Sequence, residues 1–126
     1  MTAPKFMNVV RFKLKPECVD QYFEVHRKFI CEGLSEKYIA QIGEDSYCFV
    51  GLWERKGALV SARQKILAHL DEVRGFMKEL SPELGVTDTV SGHIVAYGAE
   101  RYRFLFKYLL WITRMAFYFL ASTSNL

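Results

Sequence analysis

The chain has 126 residues, of which 51% are hydrophobic and 25% charged, the balance of a single globular domain rather than of a disordered or fibrous chain. Lys and Arg balance Asp and Glu over residues 1–98, so the net charge of +3 belongs to the tail, where Arg101, Arg103, Lys107 and Arg114 stand against Glu100. A body without basic excess, and without a zinc-finger, RNP-like or basic-helix pattern, excludes a basic nucleic-acid face, and no nucleic-acid partner is expected.

In chain order, "KFMNVVRFKLK" (Lys5–Lys15) alternates. Phe6, Val10, Phe12 and Leu14 share one parity and Met7, Val9, Arg11 and Lys13 the other, which is the period of a strand with one strongly buried face. Pro16 suits the first position of a helix, and Glu17 and Asp20 suit the positive end of its dipole. Val19, Tyr22, Phe23, His26, Phe29 and Ile30 then recur at three- and four-residue spacing, an amphipathic helix that Gly33 can stop. "KYIAQIG" (Lys37–Gly43) predicts a second strand, and the turn residues of Gly43–Ser46 lead into a third, Tyr47–Trp53. A second helix is expected over about 57–80, with Leu59, Ala62, Ile66, Leu70, Val73, Met77 and Leu80 as its apolar stripe. Ser81–Gly92 has the composition of a long loop, and His93–Tyr97 of a last short strand.

The order β-α-β-β-α-β predicts an α+β, ferredoxin-like fold: a four-stranded antiparallel sheet with two helices on one face. The other face then needs a cover. The third strand is apolar on both sides, with Tyr47, Phe49 and Trp53 on one and Cys48, Val50 and Leu52 on the other. The simplest cover is a second copy, so a two-fold homodimer through the sheet face is expected, with Tyr47 and Phe49 in the interface. Trp53 joins them if Val50 and Leu52 pack under the helices. A reversal near Gly51 turns it toward the interior instead.

No phosphate-binding or dinucleotide-binding glycine pattern is present, and His26, His69 and His93 lie too far apart in sequence for metal-ligand spacing. Cys18, Cys31 and Cys48 are odd in number and scattered, which suits reduced thiols in a cytoplasmic protein. The amino terminus lacks the apolar core of a signal peptide.

"MNVVRFKLKPECVDQYFEVHRKF", "SYCFVGLWERKGAL" and "LSPELGVTDTVSGHIVAY" together resemble the antibiotic biosynthesis monooxygenase family of the dimeric α/β-barrel superfamily. The resemblance covers about residues 5–98 and rests on element order and on the strand-Trp-helix junction. It implies a barrel closed by two sheets of a dimer. It also implies a cofactor-independent monooxygenase of a small aromatic substrate, a quinol or polyketide-like ring, with no metal or flavin. The alternatives are a non-catalytic dimeric binding or stress-related module of the same fold, or another small-molecule enzyme such as an isomerase or decarboxylase. The haem-degrading branch typically uses an Asn of the first strand with a Trp and a His of the second helix. Helix 57–80 has no Trp, and His69 lies off its expected stripe and reads as a surface residue, so haem degradation is not expected.

Oxygenation without a cofactor needs a base for an electron-rich phenol or enol, donors for the developing oxyanion, and an apolar pocket. His26, on the inward stripe of the first helix, is the candidate catalytic base; its plainer reading is a core histidine bonded to a backbone carbonyl. His93 is the second polar candidate, as a substrate contact or a solvent-facing edge residue. Tyr47, Phe49 and Trp53 are candidate aromatic walls or simple packing. Arg11 could hold an anionic substrate or pair with a carboxylate across the dimer.

The domain is placed at 1–98 and an apolar, basic helical tail at 99–126. In "FLFKYLLWITRMAFYFLA" (Phe104–Ala121) only Lys107, Thr113 and Arg114 are not apolar. On a helix, Arg103, Lys107 and Arg114 fall on one strip, which suits membrane-surface contact by residues 101–121. Docking on the domain, on its dimer partner, or a short membrane span are the other readings.

Overall fold

The computed structural model describes residues 3–97 and 109–117. It separates into two compact units, Met1–Ile94 and Val95–Leu126. In the first, β1 (Phe6–Leu14) leads through a single turn, Pro16–Cys18, into α1 (Val19–Arg27). Pro16 sits at the start of that turn as its fixed φ requires. β2 (Leu34–Gln41) and β3 (Ser46–Trp53) form the hairpin. α2 (Lys56–Ser61) and α3 (Arg63–Val73) follow, then β4 (Met77–Lys78) and β5 (Thr87–His93).

All pairings are antiparallel, in the order β2-β3-β1, with β5 beside β1 along Phe6–Phe12 and β4 completing that edge at Lys13 and Leu14. This is the ferredoxin-like arrangement expected from the element order. Gly33, at φ +85, turns the chain into β2, and any Cβ there would meet the Cβ of Ala58 at 2.5 Å.

Three expectations are corrected. The last strand is Thr87–His93, not His93–Tyr97, so it occupies what reads as loop. Its hydroxyl- and glycine-rich sequence has no apolar alternation, and pairing with β1 forms it all the same. The long second helix is two: the backbone breaks at Ala62, and the residues after Val73 turn into β4. The third concerns the sheet faces. Register places Phe6 opposite Trp53, Val10 opposite Phe49 and Phe12 opposite Tyr47, so all six share one face. Tyr22 of α1 and Val73 of α3 pack on Phe12 and Tyr47 there, so this face lies under the helices. Tyr47, Phe49 and Trp53 are therefore interior residues, not the dimer face. The opposite face carries Met7, Val9, Val50, Leu52, Tyr38 and Val90.

Of the tail, residues 109–117 form a helix whose Leu109, Leu110, Trp111, Ile112, Met115 and Phe117 are exposed. Arg114 lies in it. Arg101, Arg103, Lys107 and the remainder of the expected basic strip and apolar stretch lie outside the described residues. Among the described residues no helix is long and apolar enough to cross a membrane.

Candidate active site

The core is divided. One buried cluster, Phe12, Leu14, Tyr22, Tyr47, Val73 and Met77, holds one end of β1. A second, Phe6, Cys31, Trp53 and Ala58, holds the other. Between them, a row across the sheet runs Lys37, Gly51, Asn8, Ser91, where small and polar residues replace large apolar ones. A cavity of about 390 Å³ lies between sheet and helices and spans this gap. Its walls are mostly apolar, with Phe6, Val10, Phe49 and Trp53 from the sheet and Phe29, Ile66 and Leu70 from the helices.

The deepest polar feature is a pair. Trp53 is 1% exposed and Asn8 8%, and the Trp53 Nε1–H donates to Asn8 Oδ1 at 2.7 Å. An indole N–H can only donate, which fixes the amide: its oxygen faces Trp53 and its NH₂ remains to donate elsewhere. Asn8 lines the cavity, and its nitrogen has no hydrogen-bond partner among the described residues. The pair therefore aims amide donors at whatever occupies the cavity. Gly51 allows this, since a Cβ there would stand 2.5 Å from Asn8 Oδ1.

His26 is 9% exposed and lines the same cavity. Its ring stacks on Tyr22 at 5.8 Å and meets the edge of Phe49 at 5.6 Å. Its pKa is pushed down to about 4, chiefly by burial, then by the Lys37 ammonium and by His69. Lys37 itself donates to the carbonyl oxygens of His26 and Phe29, at 2.6 Å each, closing the end of α1. Burial likewise pushes the Tyr22 phenol well up, so it stays protonated.

His69 also lines the cavity, stacked on Phe29 at 4.3 Å with its ring centre 6.0 Å from that of His26. Burial holds its pKa down, Glu72 works against this and Lys37 adds to it. Both imidazoles are thus uncharged near neutral pH.

The structure brings His26, Phe49 and Trp53 together at the cavity. Tyr47 lies in the adjoining core and is not a wall. Arg11 is exposed on the opposite sheet face. His93 is exposed and meets the edge of Phe6 at 5.2 Å without lining the cavity. Two cavity residues are given no role by the sequence reading: Asn8, which shares the parity of Val10 and Phe12, and His69, which is not the surface residue expected. No group of three or more His, Cys, Asp or Glu side chains among the described residues is placed to hold a metal ion.

No protein-family model matches the chain, and no curated protein matches its sequence. Solved structures match by shape. A provisionally named antibiotic biosynthesis monooxygenase from Chloroflexus aurantiacus gives a TM-score of 0.58 at 9% identity, over 74% of this chain and 95% of that one. A dimeric ferredoxin-like protein from an uncultured marine organism gives 0.55 at 12% identity, over 75% and 90%. A variant of SnoaB, a cofactor-independent oxygenase from Streptomyces nogalater, gives 0.53 at 12% identity, over 75% and 97%. The chain shares with these structures a ferredoxin-like fold. At these identities the likeness is one of fold.

The depressed His26 pKa has a consequence for stability. An unfolded His takes up a proton near pH 6.5, whereas the folded one resists until about 4. Between those values the unfolded state binds more protons, so stability is full above 6.5 and falls as the pH drops toward 4. After discounting for partial solvation, the expected loss is about 2 kcal/mol. Urea unfolding at pH 7 and pH 4.5 measures it. His26→Gln should lose distinctly less than the native chain across the same interval; an equal loss would mean that His26 is solvated.

Proposed function

We propose that this protein is a cofactor-independent oxygenase of a small electron-rich aromatic, a quinol or anthrone-like ring. One observation carries the reading: an amide whose oxygen is held by Trp53 lines a largely apolar cavity, with its NH₂ left to donate, beside an uncharged imidazole. The cavity seats the ring and excludes water. A ring hydroxyl or an acidic ring C–H gives its proton to His26 Nδ1 or Nε2. With a pKa of about 4 in the empty site, His26 is a weak base. The substrate anion formed beside it supplies the charge that favours the imidazolium, while the Asn8 NH₂ steadies the oxyanion. The anion then reduces dioxygen. A C–O bond forms at a ring carbon that still bears a hydrogen, and the peroxide takes the proton back. That carbon then loses its hydrogen as a proton, the C–H electron pair making the C=O bond as the O–O bond breaks. One oxygen remains as the new carbonyl and the other leaves as water. His69, half-buried beside His26, offers the proton a second acceptor toward solvent.

Oxygen uptake with a panel of quinols and anthrones, in protein prepared with a chelator, tests this. His26→Ala and Asn8→Ala should each lower the rate by about 10²-fold or more, the scale of losing one base or one oxyanion donor. His69→Ala should cost less, because the ring is less buried than that of His26. No acceleration over spontaneous oxidation across the panel would leave the non-catalytic binding module as the function.

The working unit in this reading is a homodimer built on residues 1–98, with 99–126 outside the chemistry. Its support is the sheet face opposite the helices, where Val50, Val9 and Val90 form one apolar row across three strands. Val90 is 64% exposed. A dimeric neighbour has the same fold. Sedimentation at micromolar concentration should show a dimer, and Val50→Glu, within that row, a folded monomer. A monomeric native chain would remove this part of the reading.

A further inference from the structure

We propose that the cavity mouth selects an aromatic carboxylate: the ring enters and an acidic group stays at the rim between Arg63 and the hydroxyls of β5. This rests on the cavity being the substrate site. The mouth is located by residues that line the cavity yet are exposed. On the helical side these are Lys56 and Val60 of α2 and Arg63 and Leu67 of α3. On the other side they are Thr89 and Ser91 of the edge strand β5. The two lips differ in chemistry from the interior. One carries two cations and the other two hydroxyls, and no carboxylate lines the cavity.

Neither Lys56 nor Arg63 has an ion pair or hydrogen bond among the described residues, so neither charge is already neutralised by a neighbour. The interior offers an already ionised carboxylate no cation in their place, and such a group has no proton to hand to His26. Its walls are mostly apolar, its imidazoles are uncharged, and the ammonium of Lys37, beside His26, is turned onto the carbonyls of His26 and Phe29. A carboxylate carried inward would lose its water without gaining a cation. At the rim it keeps part of its hydration and meets a guanidinium whose planar fork matches its two oxygens, with Thr89 and Ser91 free to donate from the far lip. The ligand is therefore polarised end to end: ring inward toward Asn8 and Trp53, acid outward. A rim-held acid also fixes which ring carbon faces the Asn8 amide, so the same contact sets regiochemistry.

The test uses 2-naphthoate and 2-naphthol as matched probes, titrated calorimetrically into the full chain. The native protein should bind the acid about tenfold more tightly than the alcohol at low salt, with the preference shrinking as salt rises. In Lys56→Gln/Arg63→Gln the preference should vanish while 2-naphthol affinity stays within about twofold, since both residues are exposed and outside the core. A charge-matched control, Arg27→Gln/Lys28→Gln, should keep the preference. Equal binding of the two probes by the native chain, or a preference that survives in the Lys56/Arg63 variant, overturns the inference and leaves the oxygenase reading standing. Failure of both probes to bind at millimolar concentration overturns the cavity as a substrate site, and the inference with it.

Discussion

Trp53→Phe is expected to lower kcat by about 10²-fold while leaving KM within a few-fold, and to destabilise the fold by about 1–3 kcal/mol. Phenylalanine keeps an aromatic wall in nearly the same volume, so ring stacking in the cavity largely survives. What it removes is the Nε1–H that holds Asn8 Oδ1 at 2.7 Å. Asn8 is 8% exposed, so its oxygen then lacks a partner in a place water barely reaches, which accounts for the lost stability. The loss of turnover has a separate origin. Without a donor on one side, the amide can turn over and present its oxygen to the cavity, where it repels the oxyanion that its NH₂ would have held. Asn8→Asp is the complement. The carboxylate still accepts from Trp53, so the fold should survive, but its second oxygen places an acceptor where a donor is required, and turnover should fall at least as far. Steady-state oxygen uptake and urea unfolding on the same preparations separate the two effects. A Trp53→Phe enzyme with unchanged kcat and raised KM would make the indole a wall and nothing more.

How much of this was legible depended on contrast within each element. The alternation of β1 was plain, because Phe6, Phe12 and Leu14 differ sharply from Arg11 and Lys13. It already placed Asn8 on the buried parity, and a lone amide there, with a glycine in the neighbouring strand, was the available signal for the site. β3 was ambiguous because both its faces are apolar, and only its register with β1 decides which one lies under the helices. His69 was lost because the stripe was drawn from apolar residues alone. A stripe drawn through Ile66, Leu70 and Val73 passes it by, yet His69 lies three residues after Ile66, on the flank of that stripe, and lines the same cavity. β5 was invisible for a chemical reason: Thr87, Thr89 and Ser91 face a cavity rather than a packed core, so no hydrophobic alternation marks the strand. The parts of the sequence that mislead are thus the parts that build the site, where polar side chains occupy positions a plain core would fill with Val or Leu.

Gly51→Ala is expected to cost about 1–3 kcal/mol and to lower activity by a further order of magnitude beyond what that instability explains. The backbone at Gly51 is ordinary strand, so alanine is no worse suited to it by conformation; β-propensity alone would favour the substitution slightly. The effect comes from space. The new methyl would stand 2.5 Å from Asn8 Oδ1 and 3.0 Å from the Phe49 ring. Phe49 is a cavity wall and can tilt, but Asn8 Oδ1 is tied to Trp53, which is itself 1% exposed and has nowhere to retreat. The displacement therefore falls on the amide, breaking or lengthening its bond to the indole and moving its NH₂ within the cavity. A quantitative consequence follows. If Gly51 acts only through this pair, its effect on kcat should be largely absent once the pair is gone, so Gly51→Ala in a Trp53→Phe background should cost far less activity than it does alone. A double-mutant cycle in kcat measures that. Additive losses would mean that Gly51 serves the cavity by another route, through the position of Phe49 or through strand pairing.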